Sequence, residues 1–140
     1  MYSYFTGTLA TDPGVRHLFS TSDQQSDSLN CITCGTKCQY NDIHLFNRKS
    51  DVYVKHFVQN CLGPTVPFSA VRTVNKPSEV IKWLDKNPEL HKALAKAALP
   101  YYKSFNVDLP GTNVPARVKM IIPPGLREHE SFTFPLLIHM

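Results

Sequence analysis

Short segments in which apolar and polar residues alternate, separated by turn residues, fill the first half of the chain. Residues Tyr2 to Thr8 predict a strand, Thr11-Asp12-Pro13-Gly14 a turn, and Val15 to Thr21 the returning strand of a hairpin. The polar stretch Ser22 to Asn30 reads as a connector leading into a cysteine cluster. Beyond it, Ile43-His44-Leu45-Phe46, the charged turn Asn47 to Asp51 and the segment Val52 to Val58 predict a second hairpin. Cys61-Leu62-Gly63-Pro64 then reads as a turn, followed by a strand over Pro67 to Val74. Short strands at near-regular spacing with turn residues between them mark a sandwich, barrel or propeller.

The pattern then changes period. Asn87-Pro88 is a helix start, because Asn caps free N–H groups and Pro tolerates the first helical position. Leu90, Ala93, Leu94 and Ala97 recur at helical spacing and Pro100 closes the segment, so a helix is predicted from Pro88 to about Ala98. The preceding Val80 to Leu84 fits either a helix or a strand. Phe105, Val107 and Leu109 alternate with polar residues, a Pro110-Gly111-Thr112-Asn113 turn follows, and Pro115 to Ile122 runs as a strand into Pro123-Pro124-Gly125. Phe134 to Met140 is almost continuously apolar, as expected of a strand covered on both faces in an α/β sheet. Ending inside such a strand argues for a sequence that continues beyond it.

With 140 residues the chain holds about one domain's worth of sequence. Its net charge is +4, but the lysines are dispersed; only Lys82, Lys86, Lys92 and Lys96 fall close together, around the predicted helix. A solvated helix face accounts for them, and no nucleic-acid partner is expected. No apolar run reaches the length of a membrane span, and the residues after Met1 lack the basic start and apolar centre of a signal peptide.

The four cysteines are Cys31, Cys34, Cys38 and Cys61. An even count at tight spacing in a strand-rich chain suits disulfides and an oxidising compartment. Four thiolates also suit tetrahedral zinc, but that arrangement ordinarily uses two closely spaced pairs, whereas Cys38 and Cys61 are far apart. The spacing therefore favours disulfides, with no metal and no cofactor. Disulfides without a secretion signal fit an internal piece of a longer extracellular protein.

Catalytic chemistry is absent from the pattern. No G-x-S-x-G nucleophile elbow occurs, and His17, His44, His56, His91, His129 and His139 have no serine motif to serve, so packing or surface roles are expected of them and no catalytic residue is assigned.

Taken in order, Pro13-Gly14-Val15-Arg16-His17-Leu18, Cys31-x-x-Cys34, Cys38-Gln39-Tyr40, Cys61-Leu62-Gly63-Pro64, Met120-Ile121-Ile122-Pro123-Pro124 and Pro135-Leu136-Leu137 resemble the dipeptidyl peptidase IV family of the prolyl oligopeptidase superfamily. The resemblance runs nearly end to end. It implies a mainly β chain: the last blades of an eight-bladed β-propeller over residues 1–86, a linker helix over 87–100, and truncated first strands of an α/β-hydrolase domain over 101–140. By this resemblance Val80 to Leu84 is a strand, and the disulfides join Cys31 to Cys34 and Cys38 to Cys61.

The parent protein it implies is a serine exopeptidase removing Xaa-Pro or Xaa-Ala dipeptides from peptide N-termini. That parent would be an extracellular or plasma-membrane glycoprotein, a homodimer, secreted or held by a single-pass anchor. Its serine, aspartate and histidine, its acidic pair and its oxyanion tyrosine would all lie outside this chain, the tyrosine immediately after Met140, so the chain alone is expected to be inactive. His139 stands where the family more often has an acidic residue. The alternative parent is a catalytically silent relative acting as a binding subunit of a membrane protein.

Overall fold

The computed structural model describes residues 2–22, 25–46, 53–126, 133 and 135–139. It is mainly β with one short helix, and it divides into two compact units, Met1–Lys92 and Ala93–Met140. No helix among the described residues is long and apolar enough to cross a membrane.

The first unit contains two antiparallel sheets. Strands β1 (Tyr2–Gly7), β2 (His17–Ser22) and β3 (Gln25–Cys31) form one, in the order β1-β2-β3. The turn between β1 and β2 is built as its sequence predicts: the Asp12 carboxylate accepts the Gly14 N–H at 3.0 Å, and the Asp12 carbonyl accepts that of Val15 at 3.4 Å. Across the hairpin Phe5 faces Phe19, with their rings stacked at 5.8 Å.

The second sheet is a four-stranded meander, β4 (Tyr40–Phe46), β5 (His56–Gly63), β6 (Phe68–Thr73) and β7 (Val80–Asp85), each strand paired with the next along the chain. Its inner strand β5 alternates cleanly, burying Phe57, Gln59, Cys61 and Gly63 while the residues between them are more open. Leu18, Ile32 and Phe57 make the core, with Tyr4, Ile43 and Val74 packed against them. These side chains come from both sheets, so neither sheet buries its apolar face alone. A short parallel bridge between Arg16 and Tyr40 joins the two, with the Arg16 N–H donating to the Gln39 carbonyl at 2.8 Å and the Asn41 N–H to the Arg16 carbonyl at 3.1 Å.

Several expectations require correction. Residues 25–30, read as a connector, belong to β3; main-chain pairing with β2 makes the strand despite its polar composition. Strand β5 begins at His56 and continues through Cys61–Gly63, where a turn was expected, because pairing with both β4 and β6 carries the ladder through the cysteine. Val52 and the charged turn residues Asn47 to Asp51 lie outside the described residues. Val80–Asp85 is a strand, as the resemblance implied; Trp83 meets Phe68 edge-on at 5.4 Å and lies under the Lys86 ammonium at 4.9 Å.

Helix α1 (Pro88–Leu94) ends before the expected Ala98, and none of its residues is buried, so its apolar stripe has no packing to extend it. Nor does Asn87 cap it in the expected manner. Its φ is 48°, its N–H is taken by the Asp85 carboxylate at 2.8 Å, and its side-chain amide donates to the Pro67 carbonyl at 2.7 Å. Asparagine tolerates this left-handed backbone where other residues resist it. Asn87→Ala should therefore cost about 1 kcal/mol, from backbone strain plus a lost exposed hydrogen bond, read as a lower urea midpoint at unchanged slope.

The second unit is a hairpin of β8 (Tyr101–Val107) and β9 (Ala116–Ile122), paired in unbroken register from Tyr101–Ile122 to Val107–Ala116. Gly111, at φ 81°, allows the turn, and the Leu109 carbonyl accepts the Thr112 N–H at 3.2 Å. The strand expected over Phe134 to Met140 is not formed by residues 135–139, which carry no ladder. Leu136, Leu137 and Ile138 are 78%, 93% and 70% exposed. An apolar run becomes a buried strand only where neighbours supply hydrogen bonds and cover, and residues 135–139 have neither among the described residues. Phe134, Met140 and Arg127 to Glu130 lie outside the described residues.

Candidate functional site

The most constrained chemistry in the chain sits where the two sheets meet. Cys31 ends β3 and is bonded to Cys34, three residues on; Cys38, just before β4, is bonded to Cys61 in β5. No free cysteine remains, so the zinc alternative has no thiolates to use. The pairing is the one the resemblance implied. Cys38 and Cys61 are both fully buried, and their bond staples the entry of β4 onto β5 beside the register shift at Tyr40 and Asn41.

Between the disulfides lies a buried polar cluster drawn from four separate places in the sequence: His17, Thr33, Asn41 and Gln59. The Thr33 hydroxyl accepts the Leu18 N–H at 3.0 Å and lies 3.1 Å from His17 Nδ1. The Asn41 amide nitrogen donates to the Arg16 carbonyl at 2.8 Å and the Cys38 carbonyl at 3.2 Å, and approaches His17 Nδ1 at 3.4 Å. Those two carbonyls fix which end of the Asn41 amide is the nitrogen, and Gln59 donates to its oxygen. His17 Nδ1 thus lies between the Thr33 hydroxyl, which can donate to it or accept from it, and the Asn41 amide nitrogen. Among the described residues, Gln59 Oε1 is a buried acceptor without a protein partner.

Burial pushes the His17 pKa below its ordinary value; the Asp12 charge and a hydrogen bond with the Thr33 main chain oppose this only in part. A lowered pKa means the unfolded chain binds the proton more readily than the folded one. The stability from burying neutral His17 is therefore complete above the unfolded value of about 6.5 and is lost as the pH falls below it. Thermal unfolding followed at pH 7 and pH 5 should show a larger drop for the natural chain than for His17→Gln. Equal drops would remove His17 from the account.

A histidine beside a hydroxyl is the geometry of a base and its nucleophile, but both side chains are buried and the hydroxyl already accepts a main-chain N–H, so no acyl substrate reaches it. The other described histidines serve elsewhere: the exposed His44 lies 3.4 Å from Asp42, His56 stacks on Phe46, His91 sits on the exposed helix, and His139 is exposed outside any strand. His129 lies outside the described residues. An open groove of about 810 Å³ in the first unit is lined by Tyr2, Tyr4, Tyr53, Lys55, Asn30 and Asn75 among others.

Cys31, Cys34, Cys38 and Cys61 are thus the site residues that sequence reasoning named. Thr33, Asn41 and Gln59 escaped it, and His17 was expected only to pack or lie on the surface. The alternation Phe57-x-Gln59-x-Cys61, which aims Gln59 inward, was the one available signal.

The fold and this centre define a disulfide-stapled β protein with a four-stranded meander. Over the stretch it spans, the chain belongs to the dipeptidyl peptidase IV family. It is 32% identical over 134 residues to prolyl endopeptidase FAP of Bos taurus, covering 91% of this chain and 16% of that protein. It is 31% identical, with the same coverage, to prolyl endopeptidase FAP of Homo sapiens, and 30% identical to venom dipeptidyl peptidase 4 of Apis mellifera over 96% of this chain and 17% of that protein. The chain spans about a sixth of the length of these peptidase relatives. No family model matches it.

Proposed function

We propose that this chain is a section of a serine-type dipeptidyl peptidase that removes Xaa-Pro or Xaa-Ala dipeptides from peptide N-termini. Its part in that protein is structural. The meander β4-β5-β6-β7 and the sheet β1-β2-β3 are the last blades of the propeller, residues 87–100 are the linker, and β8-β9 with the following residues open the α/β-hydrolase domain. The observation that carries this reading is the identity of about 30% with peptidases over more than nine-tenths of the chain. The four-stranded meander, the blade arrangement of propellers, supports it.

In this reading the protein works outside the cell or at its surface, which the two disulfides support, and pairs as a homodimer. Glycosylation, if the parent carries it at asparagine, would fall elsewhere, because these 140 residues contain no Asn-x-Ser/Thr.

The test compares a Gly-Pro chromogenic substrate with the 140-residue chain and with a longer protein that carries it through a complete hydrolase domain. The short chain is expected to show no turnover and the longer protein robust turnover. Turnover by the short chain that survives repurification would overturn the structural role. A folded longer protein without turnover would replace the peptidase by the binding subunit.

A further inference from the structure

The Cys31–Cys34 pair differs from Cys38–Cys61 in ways that bear on chemistry rather than on fold. Neither Cys31 nor Cys34 is buried, whereas Cys38 and Cys61 are sealed in the core. Reduction begins with attack on an accessible sulfur, so a reductant reaches the first pair and not the second. The segment around the first pair is also held without its disulfide: the Ile32 N–H donates to the Leu18 carbonyl at 2.8 Å, Thr33 accepts the Leu18 N–H, and the Thr36 hydroxyl donates to the Thr33 carbonyl at 2.8 Å. Two thiols released there stay where they are.

A ring nitrogen of His17 and the two sulfurs lie within 4.8 Å of one another. In a tetrahedral zinc site, metal–sulfur bonds of about 2.3 Å and metal–nitrogen bonds of about 2.0 Å set ligand atoms roughly 3.5–3.8 Å apart, so the two sulfurs, bonded to each other in the disulfide, move apart while the sulfur farther from His17 closes on the ring nitrogen by up to about one ångström. Opening the disulfide frees the sulfurs to make that adjustment. His17 is already neutral and its other bonds orient the ring. We propose that His17, Cys31 and Cys34 form a binding site for a thiophilic divalent ion, of which Zn²⁺ is the type, once the Cys31–Cys34 bond is reduced. The site has two thiolates and one imidazole, with the fourth position left to water.

The chemistry balances. A water-soluble phosphine takes one oxygen from water and becomes the phosphine oxide, and the two electrons it gives up convert the disulfide into two thiols. Binding the ion then releases the two thiol protons.

The experiment uses the 140-residue chain after mild phosphine treatment, with thiol counting to show two thiols per chain and Co²⁺ as the probe. One Co²⁺ per chain should bind with a thiolate-to-cobalt absorption band, be displaced by Zn²⁺, and be lost in Cys34→Ser. His17→Gln should weaken binding at least tenfold. No cobalt uptake after reduction, or uptake indifferent to His17→Gln, would overturn the site. X-ray absorption of the zinc-loaded natural chain keeps the test independent of how the variants fold. A first shell of two sulfurs and at least one nitrogen supports the proposal, and a shell of four sulfurs overturns it.

Discussion

Phe57→Ala is expected to cost about 3–5 kcal/mol, the range found when a large buried aromatic is cut to alanine and its cavity cannot collapse. Phe57 has no exposed surface and sits with Leu18 and Ile32 at the centre of a small core. Its cavity would be walled by strands of both sheets, which main-chain ladders hold apart. Because folded domains hold only about 5–15 kcal/mol in total, this loss is a large fraction of what keeps the first unit folded. Denaturant unfolding of the variant should show it. Phe57→Leu, which keeps most of the volume, should lose under about 1.5 kcal/mol and guards against a variant that does not fold at all. Similar losses for both would mean that the two sheets do not share the core described.

Removing the buried disulfide should come next in size. Closing a loop with a sequence separation of 23 residues restricts the unfolded chain by about 3 kcal/mol in the chain-entropy account, while the separation of 3 for Cys31–Cys34 restricts it less. The double substitution Cys38→Ala with Cys61→Ala should therefore lower the urea midpoint by roughly 2 M, given slopes of order 1–2 kcal/mol per M, and the matching pair at Cys31 and Cys34 by clearly less. The effect on Cys38–Cys61 is deepened by its surroundings: Asn41, bonded to the Cys38 carbonyl, connects that bond to His17 and Gln59. Equal losses for the two pairs would show that the staple from β4 to β5 is not what secures this junction.

Chain-local information carried much of the architecture. The Asp12-Pro13-Gly14 turn, the β1–β2 hairpin, β6, the start of α1 and the β8–β9 hairpin follow from turn chemistry and alternation, which report directly on backbone conformation and on which face is covered. The ordered set of motifs, cysteines and prolines together, identified the family and, through it, both disulfides and the strand Val80–Asp85. Only the tertiary structure decided the rest. Residues 25–30 are a strand because β2 offers them a ladder, and Leu136 to Ile138 are not one because no ladder reaches them, though by composition the second was the better candidate. Likewise His17, Thr33, Asn41 and Gln59 are polar residues up to 42 positions apart in the sequence, and become a single buried cluster only when β2, β4 and β5 are brought together. Periodicity is a local signal, whereas hydrogen-bond partners and burial are relations between distant segments, and those relations exist only in the folded chain.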